Sequence, residues 1–466
     1  MSQKNKLMAM EPLKEIPLGP KGSPLLGSMK DIQKDVLGFF ARLPMEYGEF
    51  VKFRFIFWTA YFTSSPALIK HVLQDNHRNY NKQNMDYENL KPLIGEGLLT
   101  SDGEFWLRQR RLIQPAFHKT RLRAFGDLMT ETTLEMVERW EQRERSDQPL
   151  DVTGEMMRLT LSIVGKALFS QDLSREASVV GEAFSVANEE ISLRFRTLFN
   201  PPLWMPTRRN RRFNAASKAL DEVVNEIIKT RRAELGNADE STDQDLLSML
   251  LKVRDENNGE GMSDSQLRDE VMTLLLAGHE TTANALSWAW YLLSQNPQAE
   301  QRLHEELKRV LNGRTPGMDD LAELQYTRWV IQESLRLYPP AWMISRKAIE
   351  EDEFDGYLIP KGAIIEMSPY VTHRHPKYWD HPDQFIPERF KRELSEKRLP
   401  FAYLPFGGGP RLCIGRDFAL SEAQLVLATI ASRYCLELAA GHPVEPEPLI
   451  TLRPRYGLPM YVRRIN

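Results

Sequence analysis

The stretch from Met262 to Pro297, MSDSQLRDEVMTLLLAGHETTANALSWAWYLLSQNP, constrains the fold more than any other part of the chain. Ser263 followed three residues later by Gln266 is a capping-box pattern, which marks a helix start. Pro297 ends helical continuation just after Asn296. At 1.5 Å per residue a helix between those signals spans roughly 50 Å, the full width expected of a protein of this size. Such a helix crosses the core, and the remaining elements have to pack around it.

The 466 residues suffice to bury a large core. With 42% hydrophobic and 27% charged residues and a formal net charge of -3, the chain reads as soluble and globular, with no sign of a nucleic-acid partner. Two cysteines, Cys413 and Cys435, make no disulfide framework, so a reducing, cytoplasmic setting is expected. The N-terminus, MSQKNKLMAMEPLKEIPLGPKGSP, lacks the apolar run of a signal peptide or a membrane span. Its prolines, Pro12, Pro17, Pro20 and Pro24, suggest an extended lead-in over residues 1–30 with no membrane anchor. Neither a repeat nor a long low-complexity linker is evident, so residues 31–466 are expected to form a single domain.

Helical signals dominate. The aromatic and β-branched run Phe50–Ser65 reads as a strand pair, and the chain from Trp106 to about Arg232 reads as helical, with a loop at Asn200–Pro206. A polar stretch follows at Gly236–Asp245, and two amphipathic segments come after the long helix. Beyond Pro340 the pattern turns short-stranded, and a last helix begins after Cys413. The expected fold class is mainly α with a smaller β-rich portion built from early and late segments.

One of the two cysteines sits in FGGGPRLCIG, residues Phe406–Gly415. Gly407, Gly408 and Gly409 permit positive φ and close backbone approach to a planar ligand, and Gly415 lets the next helix approach the same ligand. Cys413 precedes a helix N-terminus, where oriented N–H groups favour a thiolate, and Arg411 offers a fork suited to a carboxylate. The bland alternative is a buried structural cysteine beside a flexible turn.

Phe406, Gly409, Arg411, Cys413 and Gly415 match F-x-x-G-x-R-x-C-x-G, which resembles the haem-binding loop of the cytochrome P-450 superfamily. The resemblance implies haem b (iron protoporphyrin IX) with Cys413 as axial thiolate. Ala277-Gly278-His279-Glu280-Thr281-Thr282, midway along the long helix, looks like that family's oxygen-binding motif. There Gly278 would leave room, Thr281 would hold a distal water, and Glu280 would feed protons. Read alone, Thr281 and Thr282 would merely bond carbonyls one turn back. Trp106 and Arg110 match the family's W-x-x-x-R helix, and Arg346 is placed like a further arginine for a haem propionate. Glu333, Arg336 and Arg389 resemble the E-x-x-R and P-E-R-F elements, implying a structural network that braces the cysteine loop.

A zinc-protease reading of His279-Glu280 fails, because the second histidine would fall at Ala283. His373-Arg374-His375 lacks an acidic or cysteine partner at metal-ligand spacing and reads as loop chemistry. The resemblance implies a monomeric monooxygenase that inserts one oxygen atom from O2 into an apolar small-molecule substrate. A fatty acid, alkane, terpenoid or carotenoid-like compound would suit. Pocket-lining segments map to Tyr87–Leu99, Phe184–Phe213 and Ala341–Ile344, with Phe195, Phe199, Leu203, Trp204 and Trp342 as bulky apolar members. Arg194, Arg196 and Arg208 would suit a carboxylate headgroup. With no G-x-G-x-x-G fingerprint, electrons are expected from a separate ferredoxin or flavodoxin with its reductase. The basic run of Arg108, Arg110, Arg111, Lys119, Arg121 and Arg123 is a candidate surface for that acidic donor, or else a solvated helix face. Two other readings stay open: a peroxide-using or rearranging haem-thiolate enzyme, and a non-enzymatic haem sensor.

Overall fold

A computed structural model describes residues 15–141, 148–195, 197, 200–235, 245–254, 259 and 261–465. The early helices are α1 (Met29–Lys34), α2 (Val36–Tyr47), α3 (Pro66–Lys70), α4 (Met85–Ile94), α5 (Gly103–Ile113) and α6 (Lys119–Glu141). The middle of the chain holds α7 (Val152–Phe169), α8 (Ala177–Phe195), α9 (Arg208–Leu235), α10 (Leu246–Lys252) and α11 (Asp264–Gln295). Later come α12 (Pro297–Leu311), α13 (Gln325–Leu337), the short α14 (Pro369–Thr372) and α15 (Arg392–Ser395), and α16 (Arg416–Ala431).

The long helix predicted from the sequence is α11. Ser263 Oγ accepts the Gln266 N–H at 3.2 Å and Gln266 Oε1 accepts the Ser263 N–H at 2.9 Å, which closes the capping box. Pro297 takes the first position of α12, where a backbone N–H would have had no partner anyway. Helices α7, α9, α13 and α16 pack around α11. Between Val271 and Trp290 only Ala277, Gly278 and Thr281 escape burial. These three share one face of the helix, and that face opens onto an internal cavity.

The β-rich portion joins distant parts of the chain. Strands β1 (Phe50–Phe55) and β2 (Trp58–Thr63) form the antiparallel pair the aromatic run predicts. A two-residue stub, β3 (Tyr80–Asn81), pairs later in the same sheet, whereas β4 (Leu150–Asp151) belongs to another. Among the later strands, β5 (Ile344–Ala348) pairs with β3 and with β8 (Ile364–Met367), and β8 runs parallel to β2. The hairpin of β6 (Asp352–Phe354) and β7 (Tyr357–Ile359) lies between β5 and β8 in sequence. Near the C-terminus, β9 (Tyr434–Leu438) and β12 (Pro459–Arg464) build a sheet with β4, and β10 (Pro446–Pro448) pairs with β11 (Leu452–Pro454).

The structure refines three expectations. The helical run after Trp106 is broken before the Asn200–Pro206 loop, because Pro115 ends α5 in a 3-10 turn and Ser170 ends α7 at φ 53°. The Tyr87–Leu99 segment is mostly helix α4, capped by Asn84, whose Oδ1 accepts the Asp86 N–H at 3.1 Å, and ended by Gly95. Of the Gly236–Asp245 stretch only Asp245 lies within the described residues, and its carboxylate accepts the Ser248 N–H at 2.8 Å to cap α10. From Glu15 the lead-in runs along the β-rich portion, with Leu18 accepting the Lys52 N–H at 3.1 Å; residues 1–14 lie outside the described residues. Among the described residues no helix is long and apolar enough to cross a membrane.

Candidate active site

A cavity of about 1130 Å³ separates α11 from the cysteine loop. Its lining is mainly apolar, and it exceeds the roughly 300–1,000 Å³ usual for a small ligand. It has room for a large planar group together with a substrate.

The loop that carries Cys413 is closed by its own backbone. The Cys413 N–H donates to Phe406 O and the Leu412 N–H to Gly409 O, both at 3.0 Å. Gly407 and Gly409 have φ of 70° and 65°, which only glycine adopts without strain. Gly408 departs from the expectation. Its φ is -168°, and it is needed because a Cβ there would meet the Phe401 ring at 2.2 Å. At Gly409 a Cβ would meet Leu73 O at 1.8 Å, so the glycines let the loop pack against its own neighbours. Likewise the tight neighbour of Gly278 is Val164 on α7, whose side chain would lie 3.1 Å from a Cβ at that position.

Cys413 has accessible surface although it lies deep in the fold, because it borders the cavity. Burial pushes its thiol up, whereas the Gly415 N–H and the Arg110 and Arg416 charges favour the thiolate. Cys435, the other cysteine, is on β9 and does not line the cavity.

Below the loop, the Glu333 carboxylate pairs with Arg336 at 2.7 Å and Arg389 at 3.2 Å, and Glu333 and Arg336 are completely buried. Arg336 also reaches the carbonyls of His373, Pro382 and Gln384 at 2.6–3.0 Å. His373 extends this network to the cysteine segment. Its Nε2 accepts the Leu404 N–H at 2.9 Å, which leaves the proton on Nδ1, facing Arg336 O at 3.2 Å. The histidine is therefore a structural bridge. No cluster of metal-ligand type occurs among the described residues.

On α11, the Thr281 hydroxyl donates to Ala277 O at 2.7 Å and the Thr282 hydroxyl to Gly278 O at 3.2 Å. Thr281 still faces the cavity and keeps its oxygen as an acceptor there. Glu280 lines the same cavity and is 2% exposed. Burial pushes its carboxyl up to about 7, against the pull of hydrogen bonds from Thr451 and Asn188 and the charge of Arg453. His279 points elsewhere: its Nδ1 is 2.8 Å from Leu275 O, its ring packs edge-on to Phe184, and burial lowers it to about 4, so it is neutral.

Six Lys and Arg residues line the cavity; Lys91 is paired with Glu88 and Glu96, Lys347 lies on β5, and the other four are the candidates for an acidic ligand. Arg110 donates to Leu412 O at 2.9 Å, and Arg346 donates to the Tyr87 hydroxyl at 3.0 Å and Ser345 O at 2.8 Å. Arg411 stacks on the Trp106 ring at 4.0 Å, donates to Ser101 O at 2.9 Å and pairs with Asp102. Lys82, which the sequence reading missed, donates to Leu99 O at 2.6 Å. Burial pushes Arg411 down to about 10 and Lys82 well down, and Lys82 is further depressed by the Arg346 and Arg411 charges. Asp102 is the only carboxylate paired with any of these four in the described residues. Asp86 and Glu366 line the cavity too, but burial pushes both carboxyls up, towards the neutral form, so the cations are short of negative charge and suit an acidic ligand. A thiol, an apolar cavity and a cation cluster at one edge are the donor set that haem requires: a thiolate for iron, apolar contact for the ring and cations for the propionates.

The expected substrate segments are only partly brought together. Phe184, Phe195 and Trp342 line the cavity; Trp204 is 80% exposed, and Leu203 and Phe213 lie outside the lining. Arg194 is bonded to Asn210 at 2.7 Å, and neither it nor Arg208 lines the cavity, which removes them as anchors for a carboxylate. Phe199 and Arg196 lie outside the described residues. Besides Lys82, the sequence reading missed Asn188 and Thr451, which contact Glu280 from remote segments without any local motif.

Comparison with known proteins adds the lineage. Residues 17–458 match the cytochrome P450 family. The chain is 38% identical over 438 residues to cyclooctatin synthase of Streptomyces melanosporofaciens, covering 93% of both chains. It is 36% identical over 425 residues to cyclooctat-9-en-7-ol 5-monooxygenase of the same organism, covering 91% of this chain and 90% of the other. Pentalenene oxygenase of Streptomyces avermitilis is 33% identical over 436 residues, covering 93% of this chain and 94% of the other.

Proposed function

The chain belongs to the cytochrome P450 family of haem-dependent oxidoreductases, and from that membership we propose a monooxygenase that places one oxygen atom of O2 into a terpenoid-type substrate and releases the other as water. The observation that carries the reading is that Cys413 and the Ala277–Thr281 face of α11 open onto one apolar cavity. Among apolar substrates a cyclic terpenoid is favoured, because similar proteins are named for oxygenation of pentalenene and of cyclooctat-9-en-7-ol, and among the described residues no arginine of the α8–α9 region lines the cavity for a fatty-acid headgroup.

Haem b, when bound, supplies the iron at which O2 is activated with two electrons and two protons. Cys413 would hold the iron, its thiolate favoured by the Gly415 N–H and by Arg110 and Arg416. Arg110, Arg346, Arg411 and Lys82, with the Trp106 indole, would hold the propionates. Phe184, Phe195, Leu90 and Trp342 orient an apolar substrate and exclude water. Thr281 would hold a water on the α11 side of the cavity, and Glu280, its carboxyl pushed up to about 7, can take up and release a proton near neutral pH.

Electrons come from a separate ferredoxin or flavodoxin with its reductase. The basic residues of α5 and α6 are the candidate contact, although Arg123 is already paired with Asp319 at 2.5 Å. Charge reversal at Arg108 and Arg121 is expected to slow reduction and flatten its salt dependence; unchanged kinetics would reject this surface.

The deciding experiment titrates purified holoprotein with terpenoids, fatty acids and alkanes, then supplies electrons and isotopically labelled O2. A terpenoid is expected to shift the haem absorption band and to gain one labelled oxygen atom. Labelled product formed from peroxide alone, at a rate that Glu280→Gln leaves unchanged, would favour the peroxide-using alternative instead.

A further inference from the structure

We propose that Asn188 and Thr451 are positioning residues for this reaction: they clamp the Glu280 carboxyl between α8, α11 and the β10–β11 turn and set the pH at which it keeps its proton. The inference rests on the monooxygenase reading for its consequence, but the Asn188 bond to Glu280 and the bonds that orient Asn188 and Thr451 are visible in the geometry.

Asn188, on α8, is completely buried. Its Nδ2 donates to Glu280 Oε1 at 2.9 Å, and its Oδ1 accepts the Ile450 N–H at 2.9 Å. The second bond fixes the first: with Oδ1 committed to a backbone N–H, the amide has to present its N–H to the carboxyl. Thr451 is 6% exposed, and its Oγ1 accepts from Asn284 Nδ2 at 3.1 Å. Asn284 lies one turn beyond Glu280 on α11. Because the hydroxyl oxygen is used as an acceptor, its hydrogen is left to donate to Glu280. Trp288 fastens the same turn by donating to Leu452 O at 3.1 Å. Glu280 thus receives two donors from two elements, each oriented by a further bond.

Both donors favour the ionised carboxylate, whereas burial favours the neutral acid. The charged group that faces Glu280 is Arg453 of β11, and its charge is shared with Glu447 at 2.9 Å and Glu189 at 3.4 Å. From α16, Glu422 faces Thr282 instead; from α7, Thr160 donates to the His279 carbonyl; and His279 itself is neutral. The two donated bonds are therefore the adjustable part of the balance. A bare structural tie would need only one of them, and would not need both to end on the acid that α11 presents to the cavity.

Removing either donor is expected to raise the pH midpoint of Glu280 by about one unit, a tenfold change in its protonation equilibrium. The test uses holoprotein with Asn188→Leu, Thr451→Val and the conservative Thr451→Ser. Infrared difference titration reads the carboxyl band, identified by its loss in Glu280→Gln. The fraction of consumed electrons recovered as product, followed against pH, is the second reading. Both midpoints are expected to move upward together in Asn188→Leu and Thr451→Val, and to return in Thr451→Ser. If Asn188→Leu does not fold, the isosteric Thr451→Val decides the question alone. Midpoints unmoved in folded variants, or no titrating band assignable to Glu280, overturn the clamp. Failure of the monooxygenase reading would show separately, as absence of a thiolate-ligated haem spectrum in the unsubstituted protein, while the infrared titration still judged the clamp.

Discussion

Gly407 and Gly409 both adopt a left-handed backbone, yet they are not equivalent. A methyl group at Gly407 would sit 3.9 Å from Ile344 Cδ1, an ordinary contact, so Gly407→Ala meets backbone strain alone. That strain costs about 1–2 kcal/mol. At Gly409 the same methyl group would fall 1.8 Å from the Leu73 carbonyl oxygen, which belongs to backbone and cannot swing aside. Gly409→Ala is therefore expected to cost clearly more than Gly407→Ala in urea denaturation, and to lower haem content where Gly407→Ala largely retains it. Equal losses would mean that the contact with Leu73 does not control the loop. The sequence showed three adjacent glycines and a cysteine. Which glycine served conformation and which served packing could not be read there, because Leu73 and Phe401 lie far away in the chain.

At the scale of elements, two buried arrangements of titratable side chains tie neighbouring segments together. The first is the Glu333–Arg336–Arg389 network. Arg336→Ala leaves Glu333 buried without its main partner and frees three backbone carbonyls, so a loss of about 3–5 kcal/mol is expected in chemical denaturation. The second is Glu270 on α11, which accepts the Leu98 N–H at 3.0 Å and thereby anchors the loop after α4. Burial pushes this carboxyl from its ordinary 4.5 up to about 8. An acid whose folded value lies above its unfolded one costs stability as pH rises between the two values. Glu270→Gln abolishes that dependence, so its melting temperature relative to the unsubstituted protein should climb from pH 5 to pH 8. A constant difference across that range would contradict the assignment. The capping box of α11 and the strand pair at Phe50–Ser65 were legible because helix and strand signals are local. Glu270 was not, since an acid among apolar helix residues reveals its partner only after folding.

At the scale of the whole molecule, the described residues enclose an apolar cavity between a long helix and a cysteine loop, with Lys82, Arg110, Arg346 and Arg411 in its lining. Haem would satisfy the thiol and the cations together, and the remaining volume would take the substrate. Residues close in sequence, such as Glu280 and Thr281 or Trp106 and Arg110, were recognisable as motifs. Lys82, Asn188 and Thr451 join them only through tertiary packing. The central claim is that Cys413 binds haem iron as a thiolate. Reduced holoprotein exposed to carbon monoxide measures this directly: the account predicts the red-shifted absorption maximum of thiolate-ligated haem, moved to the shorter wavelength of imidazole-ligated haem in Cys413→His. The same red-shifted maximum in Cys413→His, or its absence from the unsubstituted protein, would contradict it.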